Sequence, residues 1–373
     1  MEDKNSNLKI CFLGDTAAPH LFRWIKYFSE KGYLIEIITT NPITLNNEYQ
    51  IHLLKKIFKS SKTIFRILNL IPILIQLKLL IKKINPDIIH AHSISPYAYL
   101  VTLLNFHPFV VTPWGNDILI DIKNSKLEKF LTKKSLDKAD LITCDGKNTK
   151  NAITGLGITS KKIRFITFGV DVEKFKSNSD KKLLKNELFS TYSKIVISTR
   201  FLTKIHNVET LIKAIPFVVK SLPDTKFLIV GGGPEQEYLI NLSKSLKIFA
   251  SIIFAGSVEE NGMISLLQIS DIYISTSLSE SGLAASTAEA MACELPIINT
   301  QTGDIDLWIK NNQNGFIIPV KKPEILAEKI IFLLKNDDLR KKWGELNRKT
   351  IIERNNYYKE MKKVENIYKT LKK

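Results

Sequence analysis

The chain reads as an α/β protein with a parallel sheet in each of two halves, and three observations carry that expectation. Short apolar runs rich in β-branched residues alternate with amphipathic helical stretches, the grammar of βαβ units. The alternation starts at Leu8 and restarts at Lys194, after the polar, lysine-rich stretch SNSDKKLLKN. A chain of 373 residues also exceeds what one ordinary core holds, so two domains are expected.

Bulk composition narrows the class. Hydrophobic residues make up 44% and charged residues 24%, ordinary values for a soluble globular chain. Cys11, Cys144 and Cys293 form no pair-spaced motif, which fits a reducing cytosol and argues against a disulfide framework. The opening MEDKNSN is polar and is read as no signal peptide, so a cytoplasmic location is expected. The net charge of +17 is spread over a sequence rich in Lys, Ile and Asn. Such a surface favours anionic partners (nucleotide, membrane or nucleic acid) without choosing among them. Neither paired zinc ligands nor an RNA-binding aromatic motif is present, so nucleic acid is not expected as a partner.

In chain order, Leu8–Leu13 is an apolar strand ending at Gly14-Asp15. A helix follows with Trp24, Ile25, Tyr27 and Phe28 on one stripe, then the strand Leu34–Thr39. The turn GDTAAPH has a single glycine and is no dinucleotide fingerprint. Residues 49–86 carry eight basic side chains and no acidic one around the apolar run ILNLIPILIQL, too short to span a bilayer, which needs roughly 20 residues. Two readings stay open: a core helix with its lysines in solvent, or a basic amphipathic surface docking on anionic lipid.

Asp87–His90 is the next strand, continuing to His92. The two histidines share a strand face, but no Cys or carboxylate cluster completes a metal site, and none is expected. The strand Phe109–Thr112 leads into Pro113-Trp114-Gly115-Asn116-Asp117. Here Trp114 can stack on a sugar or plug the core. Asp117 can accept from a ligand hydroxyl or cap the following helix. Further strands are expected at Ala139–Thr143, Lys162–Ile166, Lys194–Thr199, Phe227–Val230 and Ser251–Gly256. Three glycines, Gly231, Gly232 and Gly233, end one of them and let backbone approach a ligand or a neighbouring segment. Arg200, at a strand's carboxyl end, suits bidentate pairing with phosphate, and Lys204 adds a second positive charge. Asp304 and Asp306 form an Asp-x-Asp, expected to be solvated loop carboxylates rather than metal ligands.

The most informative stretch runs from Ile274 to Pro296, ISTSLSESGLAASTAEAMACELP. A strand empties into a small-residue turn and then a helix carrying Glu289, about two turns beyond Gly282. Free backbone N–H groups at such a helix start can hold phosphate or hydroxyls, and the carboxylate can bridge paired hydroxyls such as a ribose. The alternative is a small-residue helix packed tightly on a sheet.

This stretch resembles the Glu-x7-Glu region of the retaining family-4 glycosyltransferases (glycosyl transferases group 1). Glu289 followed by AMACELP matches the second Glu; eight positions back is Ser281 and nine back is Glu280, so either takes the first-Glu place. PDIIHAHS resembles the family's strand-end His motif, and PWGND stands where the family often has His-Gly-x-Asp. FGVDVEKF resembles its inter-domain segment. The resemblance spans the chain and implies a GT-B fold, two Rossmann-like parallel-sheet domains facing across a cleft. The domains would be 1–175, joined by a helix at 355–373, and 176–354. It implies a metal-independent enzyme without cofactor that moves a sugar from a UDP- or GDP-sugar to a glycan or lipid-linked acceptor. His92, Arg200, Lys204 and Glu280 would be catalytic. Gly14, Gly232, Val258, Ser281, Gly282, Leu283 and Glu289 would hold the donor, and Trp114, Asn116 and Asp117 would lie on the acceptor side. A lipid-linked acceptor would bring the enzyme to the inner face of the membrane, the surface that segment 49–86 can meet. A GT-B nucleotide-sugar epimerase and a catalytically silent nucleotide- or membrane-binding paralogue are the alternatives.

Overall fold

A computed structural model describes residues 8–16, 18–41, 49–55, 69–178 and 194–372. The basic residues between 56 and 68 and the stretch 179–193, where the polar linker was read, lie outside the described residues. The chain divides into two compact units, 1–166 with 361–373 and 167–360.

The first unit holds a seven-stranded parallel sheet in the order β3-β2-β1-β4-β5-β6-β7. Its strands are β1 (Lys9–Leu13), β2 (Leu34–Thr39), β3 (Gln50–Leu53), β4 (Ile88–His92), β5 (Phe109–Thr112), β6 (Leu141–Cys144) and β7 (Ile163–Phe165). The interior strand β1 is flanked on both sides, with Ile10 facing Ile35 of β2 and Ile88 of β4. Ile10, Cys11, Phe12 and Leu13 are all buried, as a strand covered by helices on both faces requires. β3 has no counterpart in the expected elements. QIHL is short and polar at alternate positions, and it is held at the sheet edge by β2 and by His52 Nε2 against Glu36 at 2.7 Å.

Helix Pro19–Glu30 buries Leu21, Trp24, Ile25 and Phe28. The part of helix Tyr357–Leu371 that belongs to this unit packs on the same place. Tyr368 stacks on Phe28 with ring centroids 4.9 Å apart and hydrogen-bonds the ring of His90. The hydroxyls of Tyr27 and Tyr33 donate to the Glu365 carboxylate at 3.1 and 3.0 Å. Lys362 and Lys369 also pair with that carboxylate. Together these partners hold Glu365 down at about 2 although burial opposes the charge.

The second unit holds a six-stranded parallel sheet in the order β10-β9-β8-β11-β12-β13. The strands are β8 (Lys194–Ser198), β9 (Thr225–Val230), β10 (Ile252–Gly256), β11 (Ile272–Ser275), β12 (Ile297–Thr300) and β13 (Gly315–Ile318). Alternation along the strands feeds two cores. Val196, Phe227 and Ile229 enter one, while Ile195, Ile197, Leu228 and Val230 enter the other. Val170, Val172 and Phe175 join the second core, and Val170 bridges Asn356. The FGVDVEKF segment therefore packs with the second unit, and the division falls at 166/167 rather than at 175/176.

Candidate functional site

In both units the sheet order reverses between two neighbouring strands, the place where open parallel sheets leave a crevice for ligands. In the first unit that point lies between β1 and β4, and the residues following them are Gly14 and Ser93. A Cβ on Gly14 would come within 2.8 Å of the Leu21 side-chain tip and 3.3 Å of the His92 Cβ, so a larger residue in this turn would have to push Leu21 aside. His92 and His90 both lie at the carboxyl end of β4 and are fully buried. The His92 ring is enclosed by His90, Trp24, Phe12 and Trp114, at centroid distances of 4.3, 5.1, 5.7 and 6.3 Å. His92 thus lies buried among aromatic rings at the end of β4. His90 is structural: its Nε2 lies 2.6 Å from the Thr112 hydroxyl, and burial, with His92 alongside, holds it well below the usual histidine range.

Asp117 lies within the helix Asn116–Leu119 and does not cap it. Its carboxylate is buried and accepts the backbone N–H of Ile94 at 3.0 Å and of Trp114 at 3.1 and 3.2 Å. It thus ties Ile94, at the start of the helical segment Ile94–Ala98 after β4, to the loop after β5. Burial pushes its carboxyl up to about 6 against the pull of those backbone donors. Trp114 is half-buried and Asn116 is exposed.

In the second unit the reversal lies between β8 and β11. Arg200 follows β8, and Glu280 sits in the loop after β11. The Arg200 guanidinium pairs with the Glu280 carboxylate and donates to Ser286 Oγ at 2.8 Å. Tyr273, on β11, donates to the same serine oxygen at 2.8 Å. Arg200 is buried, and its Nε is a buried donor with no hydrogen-bond partner. A buried donor of this kind is costly unless a hydrogen-bonding partner completes it.

Ser281 is half-buried, Gly282 has φ +53 and Leu283 is buried. The Gly282 carbonyl accepts the Asp304 N–H at 3.2 Å. A Cβ on Gly303 would stand 2.6 Å from that carbonyl oxygen, so the loops after β11 and β12 touch through backbone. Asp304 is accordingly buried rather than solvated, while Asp306 is exposed. Helix Ala285–Ala292 begins at Ala284 with no side-chain cap. Glu289 is half-buried and stands little more than one turn inside it, closer to the helix start than the spacing from Gly282 suggested.

The glycine run resolves by position. Cβ atoms on Gly231 and Gly233 would strike the carbonyl oxygens of Arg200 and Leu202, and both residues have positive φ. Leu202 N–H donates to the Gly232 carbonyl at 3.0 Å. The run therefore lets the loop after β9 lie against the loop carrying Arg200, and a Cβ on Gly232 would come within 3.3 Å of Ser257 Oγ. Val258, half-buried, follows in the loop after β10. Lys204 is exposed and lines a cavity of about 530 Å³ with Glu209, Glu235, Tyr238 and Lys321. Two residues unremarked in the sequence join Arg200. Ser286 takes its guanidinium, and His206 is held down at about 4 by burial and by the Arg200 charge. A hydroxyl in the first turn of an uncapped helix was the available signal for Ser286. Among the described residues no group of three or more His, Cys, Asp or Glu side chains is placed to hold a metal ion.

Residues 178–350 match the family model described as glycosyl transferases group 1, and residues 9–146 match the one described as glycosyl transferase 4-like. The chain belongs to the glycosyl transferases group 1. Its fold is GT-B: Anabaena Alr3699/HepE, solved with UDP and glucose, superposes with a TM-score of 0.83 at 17% identity, over 98% of this chain and 100% of that one. The N-acetyl-alpha-D-glucosaminyl L-malate synthase of Bacillus anthracis is 26% identical over 92% of this chain and 91% of its own length. The alpha-monoglucosyldiacylglycerol synthase of Acholeplasma laidlawii is 28% identical over 66% of this chain and 58% of its own length. The protein is a hexosyltransferase-type glycosyltransferase.

Proposed function

We propose that this glycosyltransferase moves a sugar from a UDP- or GDP-sugar to a glycan or lipid-linked acceptor, with retention at the anomeric carbon and without a metal. The observation that carries the reading is the Arg200 Nε, a buried donor without a partner, at the strand reversal of the second unit and beside an uncapped helix start. A diphosphate placed there completes the guanidinium and meets the helix N–H groups. Glu280 now occupies part of Arg200, so donor binding exchanges that carboxylate for the diphosphate and frees Glu280 or Ser281 toward the sugar. Glu289 accepts from the ribose hydroxyls, and the backbone at Val258 faces the base.

Transfer breaks the bond between the anomeric carbon and the diphosphate oxygen. That oxygen takes the electron pair while an acceptor hydroxyl bonds to the carbon on the same face, and the hydroxyl proton passes to the departing phosphate. Arg200 stabilises the charge where it develops, the effect that commonly dominates catalysis of this kind. Lys204 supplies positive potential at the edge of the site. On the first unit Asn116 and Trp114 present themselves to an acceptor, with Gly14 and His92 shaping the floor beneath. The two relatives make, by their names, an N-acetylglucosaminyl L-malate and a monoglucosyldiacylglycerol, so both a small hydroxy acid and a lipid belong in an acceptor screen.

The test is a thermal-shift and hydrolysis panel with UDP-, GDP-, ADP- and CMP-sugars, on wild type and Glu289→Ala, with EDTA present. One nucleotide-sugar raising the melting temperature of wild type alone, with EDTA-resistant release of the diphosphate, supports the reading and names the donor. No shift with any nucleotide overturns it.

A further inference from the structure

We infer that the helical layer formed by Leu70–Ile84, Tyr99–Leu104 and Lys126–Lys138 on the first unit is a docking surface for an anionic lipid bilayer. Helix Leu70–Ile84 buries Ile73, Leu77, Ile81 and Ile84. Its opposite stripe, at i, i+4, i+8 spacing, exposes Ile71 by 67%, Ile75 by 56% and Leu79 by 64%. Lys78 and Lys82 flank that stripe in solvent, and the helix contains no carboxylate. An apolar stripe in water on a helix whose inner face is already satisfied needs an occupant.

A second helix repeats the pattern independently. Lys126–Lys138 buries Thr132, Ser135 and Leu136 and exposes Leu127 by 64% and Phe130 by 62%. Lys126, Lys133 and Lys134 stand around these two side chains. The two helices belong to one layer because helix Tyr99–Leu104 packs against both, and its Tyr99 hydroxyl donates to Glu128 at 2.7 Å. Glu128 is thereby turned toward Tyr99, leaving Asp137 as the exposed carboxylate on the outer side of Lys126–Lys138. Leu103 carries the apolar surface across the middle helix.

Separate apolar side chains ringed by lysines suit a headgroup region better than a protein partner. The aliphatic tips enter the acyl boundary while the ammonium groups stay with the phosphates. Among the described residues no helix is long and apolar enough to cross a membrane, so contact would be with one face only. The inference does not depend on the sugar-transfer reading, since vesicle binding is read without turnover.

The experiment is co-sedimentation of the full chain with phosphatidylcholine vesicles and with vesicles carrying about one-third phosphatidylglycerol, at low and high salt. Wild type is compared with Ile75→Glu/Leu79→Glu and Leu127→Glu/Phe130→Glu. Circular dichroism and the melting temperature of each variant check that it folds. Wild type should bind the anionic vesicles in a salt-sensitive manner and the neutral ones weakly, and each pair of substitutions should weaken binding roughly tenfold or more. Loss in one pair alone would overturn the shared surface. Equal binding of folded variants and wild type, or a wild type that ignores anionic vesicles, would overturn the proposal outright. So would a concentration-dependent dimer that the substitutions dissociate, because a second copy would then be the occupant.

Discussion

Arg200 and Asp117 show how much one buried charge depends on its neighbours. Arg200 has Glu280, Ser286 and one unmet donor. Arg200→Ala should lower kcat by about 10²–10³. Arg200→Lys should recover little of it, because a point charge does not reproduce the planar fork. Steady-state kinetics with the donor identified in the panel would show both, and a variant within threefold of wild type would remove Arg200 from the transition state. Asp117 makes the pH prediction. Its carboxyl sits at about 6 in the folded unit against about 3.9 unfolded. The folded state holds the proton more tightly, so this group's contribution is fully present below about pH 4, falls as pH rises to about 6, and is flat beyond. Relative to Asp117→Asn, wild type should lose on the order of 2–3 kcal/mol across that window. Melting temperatures from pH 4 to 8 would show it, and parallel profiles would count against the buried charge.

At the scale of elements, the strands were legible wherever an apolar run carried its own signal, as in Leu34–Thr39 and Phe109–Thr112. β3 was not, because QIHL becomes a strand only through its register with β2, a contact that local pattern does not contain. The site divides in the same way. That Arg200 ends a strand was readable, but its pairing with Glu280 across 80 residues was not. Two histidines sharing one face of β4 were readable, whereas their enclosure by Trp24 and Trp114 arises from helix and loop packing. The glycine run announced a close approach without naming its partner, the carbonyls of Arg200 and Leu202. Gly231→Ala should therefore cost about 1–3 kcal/mol in backbone strain alone, and it should weaken donor binding by pushing on the Arg200 loop. An alanine variant with unchanged melting temperature and donor affinity would refute that. Gly169→Ala is the control. At φ +72, with a Cβ 2.5 Å from the Tyr357 Cα, it should lose similar stability without a selective loss of donor affinity.

At the scale of the whole molecule, the first unit is assembled from two stretches of sequence separated by the entire second unit. Tyr368 fills the space beside Phe28 and meets the ring of His90 inside the core of the first unit. Tyr368→Phe strands the histidine and should cost about 1–3 kcal/mol. Tyr368→Ala also opens a cavity and should cost about 3–5 kcal/mol. Chemical denaturation would rank the two, and equal costs would mean that the hydroxyl does nothing. This arrangement sets a timetable as well as a stability. While the ribosome is still making residues 167–360, the sheet of the first unit has already emerged but lacks the piece that covers Phe28 and His90. The second unit, encoded without interruption, can close first. The nascent chain then carries an unfinished apolar surface on the first unit until residues beyond 360 appear, which makes that interval the one in which a chaperone would matter.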